Sequence, residues 1–236
     1  TNERAIATQQ TAFWFVGQSR GNYPDVLGGI IWFGTDDAAT SYVTPIYTNS
    51  EIVPECFREG NGDMLTYSST SSFWLNNRVA NACYKMYNYM APFVREHIDR
   101  FENSQISECV PQTDAKALEL YNDIAEKEMK KQSRKNPDYD PMTDTGDAFL
   151  QVKQYLTSYS VSTADAIFSA WKKMEETLLV KFIDGNVKAQ NEDGTFVHSP
   201  ESESIPDGLT QPGYTEYWKE AVAHFHGDVV KKVEAE

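Results

Sequence analysis

The sequence predicts an α+β fold, on three observations: a β-rich opening third, a change to helical periodicity near Ser71, and a polar, turn-rich close. Residues 1–70 read as β-rich. Ala12 to Gln18 is an unbroken aromatic and β-branched run, the pattern of a strand covered on both faces. Asn22-Tyr23-Pro24-Asp25 signals a turn, and Gly28-Gly29 leads into a second strand from Ile30 to Phe33. Tyr42 to Tyr47 reads as a third strand, with Pro45 marking an edge or a bulge.

Residues 71–185 read as helical. Ser71 or Ser72 caps a first helix that carries Leu75, Val79, Ala82, Cys83, Met86, Met90 and Phe93 on one side. A kink is expected at Pro92, which removes a hydrogen bond and crowds the preceding turn. A second helix is predicted from Thr113, as cap, to about Lys135, ended by Asn136-Pro137. A third spans Asp147 to Phe182 with a break near residues 158–163. Its stripe is Ala166, Ile167, Ala170, Trp171, Met174, Leu178 and Phe182, and Asp184-Gly185 closes it. Residues 186–236 read as a small hairpin (187–190 with 195–198), a loop, and a last helix from Thr215 to Phe225.

The 236 residues are 40% hydrophobic and 13% aromatic, enough for a packed core. The net charge of −14, from 21 basic and 35 acidic residues, argues against a nucleic-acid partner and against an anionic membrane surface. It favours solubility and cationic small substrates. No apolar run approaches the length of a transmembrane helix. Cys56, Cys83 and Cys109 allow one disulfide and a free thiol, or three free thiols. No Cys-x-x-Cys pair is present, so no metal site is expected.

Several residues are candidates for chemistry. Gly17-Gln18-Ser19-Arg20-Gly21 has the spacing of a serine nucleophile elbow, but a turn follows it rather than a helix. His224 and His226 are two residues apart and point to different faces of a helix, which fits a surface helix end. Asp36-Asp37 closes a strand and reads either as a cation or ammonium site or as a turn with local side-chain capping. Asn77 and Asn81, four apart, share a helix face and with Asn88 either line a polar cleft or meet water. Arg4, Gln9, Gln10 and Thr11 cluster donors at the mouth of the first strand. There they suit an oxyanion or a carboxylate, or plain edge solvation. Cys83 falls on the apolar helix face and reads as core.

Certain segments carry a resemblance. Arg4 to Thr11, Phe15 to Arg20, Gly29 to Ala38, Tyr42 to Tyr47, Val53 to Phe57 and Phe73 to Asn81 resemble the later half of the secernin-related dipeptidases, cysteine peptidases of the N-terminal-nucleophile (Ntn) hydrolase class. The likeness continues more weakly at Ala170-Trp171, Val180 to Gly185 and Pro212 to Trp218. It implies an αββα sandwich, with residues 1–236 as the C-terminal portion of a single Ntn-hydrolase domain. It also implies dipeptide hydrolysis by a cysteine at the start of the mature chain, with no cofactor and no metal. This sequence opens Thr1-Asn2-Glu3-Arg4, so no catalytic residue is expected in it, and the nucleophile is expected upstream, in an N-terminal portion of the same enzyme. If an export signal ends just before that cysteine, as in many relatives, the location is exported or periplasmic. By position, Arg4, Gln10 and Thr11 are the first candidates for the substrate or oxyanion pocket, followed by Arg20, Asp36 and Asn77. The rival readings are an amidase acting on another amide, and a non-catalytic binding module of the same fold.

Without that portion the chain leaves sheet edges unpaired, so in isolation it is expected to self-associate, as a homo-oligomer or more loosely. Sedimentation velocity on the isolated chain checks this, and a monomer that unfolds cooperatively counts against it.

Overall fold

Phe13 faces Thr35, and from that pair β1 (Phe13–Ser19) and β2 (Gly29–Thr35) run antiparallel until Ser19 meets Gly29. β3 (Thr44–Tyr47) pairs with the other side of β2, Ile30 opposite Tyr47, and the order is β1-β2-β3. Pro45 therefore lies in an edge strand, where its missing N–H costs least. The computed structural model describes residues 5–132, 135, 136, 138 and 146–226, without the side chains of Phe225 and His226.

Strand alternation gives this sheet two unlike faces. The register puts Trp14, Val16, Ile30, Trp32 and Tyr47 on one and Phe13, Phe15, Ile31 and Phe33 on the other. Ile30 and Tyr47, with Val26 and Leu27 from the turn before β2, form a core with Val110, Ala117 and Tyr121 and with Phe149, Val152 and Leu156. The second face is exposed: Phe13 is 58% accessible and Phe15 59%. Val16, on the helix-facing side of β1, is 56% accessible. The expectation of a strand covered on both faces is thus corrected. The apolar run is real, but among the described residues β1 is paired along one edge only.

The helices follow in order: α1 (Ser72–Cys83), α2 (Tyr87–Ser104), α3 (Val110–Gln132) and α4 (Asp147–Phe182). The interruption expected at Pro92 falls at Tyr84–Met86, where Met86 leaves the helical region at φ −142°, ψ 56°. Pro92 lies inside α2. Thr113 is not a cap but a buried residue of α3, because a π turn (Gln105–Cys109) joins α2 to α3 without a loop. Its wider repeat, with the Val110 N–H bonded to the Gln105 carbonyl, comes immediately before Pro111, which has no N–H to continue the α pattern.

α4 is continuous through residues 158–163, where a break was expected. Its Ser and Thr hydroxyls bond back to carbonyls four residues earlier: Thr157 to Lys153 at 2.8 Å, Ser158 to Gln154 at 3.0 Å, Ser160 to Leu156 at 2.8 Å. Two of them also serve the chain leaving the sheet. Ser160 Oγ accepts the Tyr47 N–H at 3.2 Å, and Thr157 Oγ1 accepts the Glu51 N–H at 3.1 Å. Ser160, within the stretch expected to break, is thus a partner of the edge strand.

The chain packs as two compact units, residues 1–175 and 176–236, the boundary lying within α4. In the second, the helix closes at Asp184 (φ 60°) and Gly185 (φ 74°). The expected pairing of 187–190 with 195–198 is present, Gln190 bridging Phe196 and the Val197 N–H bonding the Ala189 carbonyl at 3.0 Å, and a further pair, β4 (His198–Ser199) with β5 (Ser202–Pro206), follows it. The last helix, α5, spans Glu216–His226, and Tyr214 stacks on Trp218 with ring centroids 4.2 Å apart.

Within the first unit, two ion pairs tie elements together. The Arg78 guanidinium grips Glu175 with two bonds, Nε to Oε1 at 2.6 Å and Nη2 to Oε2 at 2.7 Å, joining α1 to α4. The Arg20 guanidinium donates to Asp114 of α3 and to the Leu27 carbonyl, and the Tyr47 hydroxyl donates to the other Asp114 oxygen at 2.6 Å. The Arg20 and Asp114 side chains are only 10% and 6% accessible. Removing one partner strands the other charge in the core, so Arg20→Met is expected to cost about 3 kcal/mol, read from urea unfolding.

Candidate active site

β2 ends by delivering a strained carboxylate. Thr35 is extended, but Asp36 turns into the left-handed region at φ 65°, uncommon for a residue with a Cβ, and is fully buried. Its N–H donates to the Ala12 carbonyl at 3.2 Å, so the segment entering β1 runs beside it. Gln10 and Thr11 therefore reach the same end of the sheet; Gln10 is exposed and Thr11 half-buried.

α1 supplies the facing wall. Asn77 donates its side-chain N–H to Asp36 Oδ1 at 2.9 Å. Asn81, one turn on, donates to the Asn77 carbonyl at 2.8 Å and to its side-chain oxygen at 3.2 Å. Asn88 is on α2 and does not join them. Asn76 lies against the sheet instead. Its amide donates to the Thr35 carbonyl at 3.3 Å, Thr35 Oγ1 at 3.0 Å and Ser72 Oγ at 3.2 Å, and Ser72 also meets the Tyr42 hydroxyl at 3.1 Å. Three atoms in this buried cluster have no partner: Asp36 Oδ2, Asn76 Oδ1 and Thr40 Oγ1. Burial raises the Asp36 carboxyl above the ordinary carboxylate value, against the lowering effect of its bonds from Asn77 and the Asp37 backbone; the Asp37 charge adds to the rise.

The two neighbouring aspartates divide the readings open to them. Asp37 is a turn residue, its Oδ1 capping the Ala39 N–H at 3.0 Å and its Oδ2 accepting from the Tyr84 hydroxyl. Asp36 forms no such local turn.

Of the pocket candidates, Gln10, Thr11, Asp36 and Asn77 gather at this end. Arg20 does not: it follows the far end of β1, roughly 20 Å away at about 3.3 Å per residue. There it lines a groove of about 720 Å³ with Trp14, Val16, Trp32, Ile106 and Pro111, its guanidinium engaged by Asp114 and lying over the Tyr23 ring at 4.6 Å. Arg4 lies outside the described residues. Asn76 was assigned no role from the sequence, although its four-residue spacing from Ser72 put both on one helix face.

All three cysteines are free. Burial, the larger cause, pushes the Cys56 and Cys83 thiols up to about 12, helped by the charges of Asp165 and Asp37 respectively. Neither forms a useful thiolate at neutral pH. Cys83 is core, as its helix face implied. Among the described residues no group of three or more His, Cys, Asp or Glu side chains is placed to hold a metal ion. No described helix is long and apolar enough to cross a membrane.

Residues 1–100 match the model of peptidase family C69. The match covers less than half of the 236 residues. No curated protein matches the chain. The C69 stretch contains the three-stranded sheet, α1 and the Asp36–Asn77 pair, whereas Asp114, Trp171 and Glu175 lie beyond it. The match supports a peptidase of the cysteine type. Burial keeps Cys56 and Cys83 out of reach. Under native conditions at pH 7.5 an aromatic disulfide reagent is expected to leave Cys56 and Cys83 unmodified, and both should titrate once the chain is unfolded.

Proposed function

We propose that the chain is the later portion of a dipeptidase of the Ntn class, whose nucleophile is a cysteine at the start of the mature enzyme and upstream of these residues. The observation that carries the reading is the C69 match over the stretch that holds the Asp36 end of the sheet. The exposed aromatic side chains of Phe13 and Phe15 on that face of the sheet support it, since a second sheet packed there makes the inner layers of an αββα sandwich. In this reading residues 1–236 are one part of a single domain and the preceding portion is its partner.

The chemistry follows from the nucleophile. The cysteine thiolate attacks the dipeptide carbonyl, its proton having passed to the chain's own α-amino group. Donors at the Asp36 end, with Gln10, Thr11 and Asn77 as candidates, hold the tetrahedral oxyanion. The C–N bond breaks, the leaving amine takes the proton, and water then hydrolyses the thioester to free acid and thiol. The steps need no cofactor or metal. The acidic surface suits a substrate that carries a free ammonium group.

The test is to produce the polypeptide that carries this sequence together with whatever precedes it. Its mature N-terminus is read by intact mass, and hydrolysis is assayed over a panel of dipeptides and acyl amino acids. Turnover of dipeptides is expected, with a loss of at least about 1,000-fold when the terminal cysteine is replaced by alanine. Turnover of acyl amino acids alone makes it an amidase, and no turnover with an intact fold makes it a binding module.

A further inference from the structure

The buried end of β2 holds a carboxylate that the turn does not require. Asn and Gly tolerate the left-handed conformation at least as well as Asp. Asp36 instead places an ionisable group where nothing is exposed, leaves Oδ2 without a partner, and has no cation in an ion pair with it among the described residues. What it does have is Asn77. A carboxylate only accepts, so the Asn77 amide must turn its nitrogen to Asp36 Oδ1 and its oxygen to the Asn81 N–H, at 2.9 and 3.2 Å. With an amide at position 36 either orientation of Asn77 would serve. Asn77 is half-buried, and its second side-chain N–H has no acceptor among the described residues.

We propose that Asp36 is a positioning residue of the peptidase site, fixing the Asn77 amide so that its unused N–H is held for a substrate oxygen, the scissile carbonyl as it becomes an oxyanion. The proposal rests on the dipeptidase reading above. The fold accepts a buried, left-handed, half-satisfied carboxylate, and the return is one donor that cannot flip.

The experiment uses the complete enzyme and the variants Asp36→Asn, Asn77→Ala and terminal Cys→Ala, each measured for kcat, KM and Tm between pH 4 and 8. Asn77→Ala is expected to lower kcat about 100-fold, as for loss of an oxyanion donor. Asp36→Asn should lower kcat about 10-fold with KM little changed, while melting above the parent at neutral pH. A carboxyl whose value is raised by folding opposes the folded state as pH rises through that value. The Tm advantage of Asp36→Asn should therefore grow from pH 4 upward, with Asp37, and Tyr84 and Cys83 from α1 and its C-terminal end, as the other titratable neighbours. Full kcat in Asp36→Asn, or a lower Tm than the parent at neutral pH, overturns the positioning role. If that happens while Cys→Ala is dead, the dipeptidase reading stands; an active Cys→Ala overturns the nucleophile and the positioning role with it.

Discussion

The carboxylate of Asp114 sits among apolar side chains and is answered from two directions, by Arg20 on one oxygen and the Tyr47 hydroxyl on the other. Those three residues come from the end of β1, from β3 and from α3, so one buried anion fixes the sheet against the helix layer. Alone, such a group would cost more than the packing around it could offset. Satisfied as it is, it dictates the register. Arg20 reaches Asp114 and the Leu27 carbonyl together only if the turn before β2 closes as it does, and that turn supplies Val26 and Leu27 to the core.

The three strands were legible because each is a short apolar run bounded by glycine, proline or polar residues, and the onset of helix at Ser71 was legible from its period. What could not be read were contacts between distant residues. A strand covered on both faces and one waiting for cover have the same composition, so β1 was misjudged. The stretch around Ser160 looked like a helix break because its partner, the Tyr47 N–H, lies more than a hundred residues away. The same holds at the site. Asp36 and Asn77 were each singled out, but the bond between them spans 41 residues and appears only when α1 packs on the end of β2. Arg20, grouped with them by chain proximity, belongs to the other end of the strand.

The two ends of β1 show opposite uses of buried charge. At the Arg20 end the acid, the base and the hydroxyl complement one another. At the Asp36 end, a strand terminus, a left-handed residue and unpaired acceptors meet within a few residues. A rigid sheet with paired charges at one end and an unpaired carboxylate oxygen at the other is how a fold can hold stability and chemistry apart.

The π turn between α2 and α3 bears on how this sequence can change. An α-helix advances about 100° per residue, so each residue gained or lost in a continuous helix swings everything beyond it by that angle. Gln105–Cys109 is the wide turn in the run from Tyr87 to Gln132, and Asp114 lies five residues past it. Deleting one residue there would tighten the turn to α geometry and leave the Asp114 carboxylate facing Arg20 and Tyr47, because the wide turn is where the extra residue is absorbed. One residue can therefore be lost within the turn at little cost, whereas the same loss in the regular helix between the turn and Asp114 would swing the carboxylate out of the core.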